Sequence, residues 1–144
     1  MNQEPTQKNE RTLAVKLTSF GYKNGAAPTA NLTLDVRFLK NPYWEESLRP
    51  LTGLDKRVRD YVVEQKLAKD VLSSLMQLVS HALPGILSVK ADTFTIALGC
   101  TGGQHRSCAM VEELAQRIRE EYPQYKILVE HRELAGKSVK VGKS

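Results

Sequence analysis

The stretch from Asp92 to Arg119 constrains this chain more than any other. Asp92-Thr-Phe-Thr-Ile-Ala-Leu98 is a short run rich in β-branched and apolar residues, of strand length. From Ser107 to Arg119 the period changes, and Cys108, Val111, Leu114, Ala115 and Ile118 fall on one helical stripe. Only the turn Gly99-Cys100-Thr101-Gly102-Gly103-Gln104-His105-Arg106-Ser107 separates the two. A further strand-like run, Tyr125-Lys-Ile-Leu-Val-Glu-His131, follows after Pro123. Strand, helix and strand in this order form the crossover of a parallel sheet. The expected fold is therefore α/β, a single domain with a mostly parallel sheet of about four strands and flanking helices.

The first half supplies the remaining elements. Leu13, Val15 and Leu17 alternate with Thr12, Ala14, Lys16 and Thr18, the period of a half-buried strand that ends at Ser19-Phe20 and is closed by Gly21. After the turn-rich GYKNGAAPTAN, the run LTLDVRFL reads as a second strand with Asp35 and Arg37 on one face. KNPYWEESLRPLTG is a long loop with two prolines and one glycine, a class that often carries function. Asp55 suits the cap of a short helix bearing Val58, Tyr61 and Val62. Asp70 precedes a longer helix with Leu72, Leu75, Met76, Val79 and Leu83 on one face, which Pro84-Gly85 is expected to end. His81, on that helix, has no partner at metal-ligand spacing and is given no role.

A chain of 144 residues suits one domain that folds without staples. No run is expected to cross a membrane, and MNQEPTQKNER lacks the apolar core of a signal peptide, so a cytoplasmic protein is expected, with residues 1–11 disordered. Cys100 and Cys108 are the only cysteines and match neither a disulfide framework nor a zinc site; no metal and no cofactor are expected. The net charge is +5. Part of it lies in Arg132, Lys137, Lys140 and Lys143, which read either as a solubilising end or as an RNA-contacting arm, with 135–144 a flexible tail.

The turn between the third strand and its helix points to oxyanion binding. The first amides of a helix lack partners within it and sit at the positive end of its dipole. Gly99, Gly102 and Gly103 allow close approach to those amides, and Thr101, His105, Arg106 and Ser107 add donors, Arg106 being able to grip two oxygens. The run is not a Walker motif, because Gln104-His105 follows Gly103 where Lys and Ser or Thr are required. An enzymatic alternative remains: Cys100 and Arg106 are separated by five residues and followed by Ser107, the spacing of a cysteine phosphatase. There Cys100 attacks phosphorus, Arg106 holds the oxyanion, and an Asp such as Asp35 or Asp55 protonates the leaving oxygen.

FGYKNG, LDVRFLKNPYWEESLRPLTGLD, ALGCTGGQHRS and EHREL occur in an order and wording that resemble the C-terminal domain of the RapZ family of RNase adapters, over roughly Thr12 to Leu134. The resemblance implies a fold like a sugar-phosphate-kinase subdomain, and binding of glucosamine-6-phosphate and small regulatory RNA. It also implies homo-oligomers and a regulatory rather than catalytic role. It implies ligand residues Lys23, Asp35, Arg49, Thr101, Gly102, His105 and Arg106, which with Cys100, Gly103 and Ser107 of the turn make up the expected ligand-binding set. Three departures stand out: Tyr43 replaces a His, Gln104 replaces a basic residue, and the C-terminal tail carries less charge than the family's. The family's N-terminal nucleotide-binding domain falls outside the resemblance, so a separate nucleotide-binding protein is the expected partner for that role.

Overall fold

The computed structural model describes residues 13–134. Strand β1 (Ala14–Gly21), β2 (Leu32–Asp35), β3 (Thr93–Cys100) and β4 (Lys126–His131) form one sheet in the order β2-β3-β1-β4. Every pairing is parallel, with Gly21 opposite Cys100, Asp35 opposite Gly99 and Ser19 opposite His131. Helix α1 (Lys56–Val63), α2 (Lys66–Ser88) and α3 (Arg106–Glu121) pack against one another, with α3 lying across β1, β3 and β4. The α/β expectation holds: the described residues form one domain with a four-stranded parallel sheet and three α-helices.

Strand alternation decides which residues enter the core. Val15 and Leu17 of β1 and Phe94, Ile96 and Leu98 of β3 join Val79 of α2 and Val111, Leu114 and Ile118 of α3 in one buried cluster. The intervening residues include Lys16 and Glu130, an exposed ion pair at 3.2 Å. At the far end of β4, the imidazole of His131 joins three elements. With Glu112 of α3 ionised, Nε2–H donates to it at 2.7 Å, and Nδ1 accepts the hydroxyl proton of Ser19 at 2.7 Å. The same contact holds the Glu112 carboxyl below its usual range.

Three expectations need correction. β2 stops at Asp35 rather than reaching Leu39. The Asp35 carboxylate accepts the Arg37 backbone N–H at 2.9 Å, which turns the chain and directs Val36 and Leu39 into the core. α2 begins four residues before Asp70 and runs through Pro84-Gly85 to Ser88. Pro84 is exposed, and continuing the helix packs Ile86 on the core, a gain that offsets part of the ~3 kcal/mol that an internal proline costs. The actual stop is Lys90, at φ 61°, where Ala91 N–H closes on Ile86 O at 3.3 Å. Finally, α2 is long and apolar enough to cross a membrane, with a mean hydropathy of 1.3, contrary to the expectation that no run is. Here it sets Ala68, Leu72, Leu75, Val79 and Leu83 into the core.

Candidate functional site

All four strands being parallel, the turns that follow them collect at one edge of the sheet, the usual place for ligands in such folds. β3 delivers Cys100 there and α3 starts at Arg106, so residues 101–105 form a nest at a helix N-terminus. Beside it, β1 ends at Gly21 and a short 3-10 turn, Tyr22–Asn24, carries Lys23. The two turns are stitched together: Lys23 N–H donates to Thr101 O at 3.1 Å, and the Asn24 amide to Gly102 O at 3.2 Å. A Cβ on Gly21 would overlap the Gly102 carbonyl, and Gly103 has φ 77°, where glycine alone is at ease.

A cavity of about 450 Å³ opens at this edge, lined by Lys23, Arg49, Cys100, Thr101, Gly102, His105 and Arg106 of the expected set. Its walls also include Asn41, Tyr43 and Gln104. The loop from Val36 to Asp55 forms the far wall, and the nest itself holds that loop. Arg106 Nη1 donates to Arg37 O at 2.8 Å and Leu39 O at 3.1 Å. His105 Nε2 meets Arg49 O at 3.1 Å, and Gly53 N–H donates to Gln104 O at 2.8 Å. Burial pushes the His105 imidazole below its ordinary value, with hydrogen bonds to nearby backbone carbonyls opposing it and the Arg106 charge adding to it. Arg49 lies over the Tyr43 ring at 4.8 Å and donates Nε to Tyr43 O at 2.7 Å, so the two form one rim.

Arg106 is only 6% exposed, and its Nε–H is buried without a hydrogen-bond partner. A buried, unpaired donor on a guanidinium is costly and needs a reason. Its other nitrogens have protein acceptors, Nη2 facing Thr101 Oγ1 at 3.4 Å. Arg106 also lines the cavity, where, among the described residues, its guanidinium is the one buried positive charge in the wall.

Three residues of the expected set do not line the cavity. Asp35 is held by Arg37, whose Nη2 lies 2.6 Å from its carboxylate. That bond keeps the Asp35 carboxyl below its usual range. Gly103 is buried behind the turn and shapes it rather than facing the cavity. Ser107 is fully buried, donates its hydroxyl to Phe20 O at 3.3 Å, and accepts the Cys100 thiol at 3.2 Å. Cys100 itself is 2% exposed, and its sulfur receives N–H from Gly103 at 3.3 Å and from Ser107 at 3.4 Å.

For phosphatase chemistry nothing here supplies the acid. Asp55 caps α1 and pairs with Arg57 at 3.0 Å, Asp35 is paired as described, and both carboxyls are held ionised by those arginines. No carboxylate is among the residues lining the cavity. Of the expected RNA contacts, Arg132 has its guanidinium engaged with backbone oxygens, while Lys137, Lys140 and Lys143 lie outside the described residues, as do the segments 1–11 and 135–144. Sequence reasoning missed Asn41 and Gln104 as wall residues. The unusual length and proline content of the 40–53 loop signalled the segment but not which side chains turn inward.

A parallel sheet whose strand-to-helix turn, together with Lys23 and Arg49, walls a cavity at the ends of the strands defines an α/β domain with a candidate ligand site at that edge. The chain belongs to the RapZ C-terminal domain family, whose model matches residues 13–135. It is 46% identical over 125 residues to a nucleotide-binding protein of Thermobifida fusca, covering 87% of this chain and 42% of that protein. It is 40% identical over 125 residues to one of Lactobacillus johnsonii, with the same coverage. A third, from Bifidobacterium longum, is 52% identical over 108 residues, covering 75% of this chain and 33% of its own. The chain thus spans less than half the length of these curated relatives.

Proposed function

We propose that this domain is a sensor that binds a phosphorylated sugar at the Thr101–Arg106 nest without transforming it. The observation that carries the reading is the unpartnered, buried Nε–H of Arg106 beside a cavity walled by Lys23, Arg49 and His105. The phosphate end is the better defined. Lys23, Thr101 and Arg106 line it, and Asn41, Tyr43 and Gln104 offer neutral groups of the kind that hold sugar hydroxyls. The aminosugar phosphate that the family resemblance implies is the first ligand to try, with the Asp35 carboxylate held by Arg37 outside the cavity.

Regulation by such a domain needs an output partner. The relatives' name, nucleotide-binding protein, and their greater length support the proposal that a nucleotide-binding domain is that partner. RNA contact by the tail is a further proposal that rests on the family resemblance. Self-association has a candidate surface in the exposed apolar side chains Phe38, Leu67 and Leu78, of which Phe38 and Leu78 line a groove between β2 and α2.

Isothermal titration with glucosamine-6-phosphate, glucosamine and inorganic phosphate tests the reading. The phosphosugar is expected to bind most tightly, phosphate more weakly and glucosamine not at all, with phosphosugar affinity reduced in Lys23→Ala. Because Arg106 also holds the loop carbonyls of Arg37 and Leu39, Arg106→Lys is the informative change there and Arg106→Ala is expected to lower stability as well. Release of inorganic phosphate from the phosphosugar, abolished in Cys100→Ser, would replace the sensor with the phosphatase.

A further inference from the structure

Two charged residues just after β4 have no part in the binding reading, yet the site is built against them. Glu133, whose side chain is 13% exposed, accepts the Gly21 N–H at 2.9 Å and pairs with Arg132 at 2.8 Å. Arg132 donates Nη1 to Ala26 O at 2.6 Å and Nη2 to Gly21 O at 3.2 Å, and its guanidinium lies 5.4 Å from the centre of the Phe20 ring. A Cβ on Gly103 would overlap the Glu133 Cγ, so the back of the turn packs on this side chain's methylene. The preceding residue, His131, is itself anchored on Ser19 and Glu112, which gives the pair a fixed base.

We propose that Glu133 and Arg132 are positioning residues for the anion site: they touch no ligand and fix the Lys23 turn against the Thr101–Gly103 turn. The ion pair grips both ends of the loop from Gly21 to Ala26, and the middle of that loop carries Lys23, whose N–H meets Thr101 O. A lone carboxylate behind an oxyanion nest would repel the ligand; Arg132 neutralises it, so the turn is held without that cost. Holding the donors in place beforehand spares the ligand the entropy of ordering them. Arg132 then belongs to the small-anion site, and its loss acts on phosphosugar affinity rather than on the salt dependence of nucleic-acid binding.

The role rests on the phosphosugar reading, and a two-part experiment on the full chain separates the two. Without ligand, the Gly21 amide is expected to exchange at least about tenfold faster in Glu133→Ala and to recover its protection in Glu133→Gln, whose amide oxygen keeps the acceptor. With glucosamine-6-phosphate, Kd is expected to rise by about tenfold or more in Glu133→Ala, and to recover in Glu133→Gln, at little change in Tm. Arg132→Lys, which keeps the charge but cannot reach three oxygens at once, is expected to weaken binding similarly and serves if Glu133→Ala does not fold. Unchanged Gly21 exchange, or unchanged phosphosugar affinity in both Glu133→Ala and Arg132→Lys, would overturn the proposal. A wild-type chain that binds no phosphosugar would remove the reading beneath it, and the exchange data would then decide the clamp alone.

Discussion

The chemistry of the site turns on individual residues whose type the sequence displays and whose neighbours it hides. Arg106, Lys23 and Gly102 were legible from the spacing of one turn and from the family wording, and the structure brings them to one cavity. Asp35 was not legible, because a residue two positions away, Arg37, takes its carboxylate through contacts that depend on where β2 stops. His105 gives a prediction at this scale. Its native pKa lies below the ordinary 6.5, so the unfolded chain takes up the proton first as pH falls. Its contribution to stability is present above pH 6.5 and is lost as pH drops from there towards the native pKa. In His105→Gln, whose amide can still donate to Arg49 O, the fall in Tm between pH 7 and pH 5.5 is expected to be shallower than in the wild type, measured by thermal melts across that range.

At the scale of elements, periodicity located every strand and helix, while their ends followed from contacts the pattern does not contain. Asp55 was read as a cap from its position and caps α1 through the Arg57 N–H at 2.9 Å. Pro84-Gly85 carried a strong local stop signal, yet the helix continues and packs Ile86 on the core. α2 therefore holds two removable weaknesses. Gly85 lies in a helix with open space where a Cβ would stand, and Gly85→Ala is expected to stabilise the protein by about 1 kcal/mol. Lys90 occupies a left-handed conformation, and Lys90→Gly is expected to gain on the order of 1 kcal/mol. Each raises Tm by a few degrees on melting if α2 ends at Ser88; a gain from neither would mean that it ends near Pro84.

For the whole molecule, the parallel character of the sheet could be read early from one strand-turn-helix-strand unit, whereas the order β2-β3-β1-β4, with β1 between β3 and β4, could not, because it depends on long-range pairing. What covers the apolar face of α2 could not, because a single chain's pattern records that a residue is apolar and not what it meets. Phe38, at 49% exposure, and Leu78, at 42%, are large for a surface facing only water. If that groove joins copies of this chain, light scattering after size exclusion is expected to show an oligomer that Leu78→Glu converts to monomer, with phosphosugar affinity retained. A wild-type monomer at tens of micromolar would exclude self-association through this face in that range.

The central claim, that the Thr101–Arg106 nest is where a phosphosugar binds, is tested most directly by amide NMR during a titration with glucosamine-6-phosphate. The account predicts that the largest shifts fall on Lys23, Gly102, Gln104, His105 and Ser107, saturate with added ligand, and shrink in Lys23→Ala. Saturable shifts confined to other surfaces, or no shifts at millimolar phosphosugar, would contradict it.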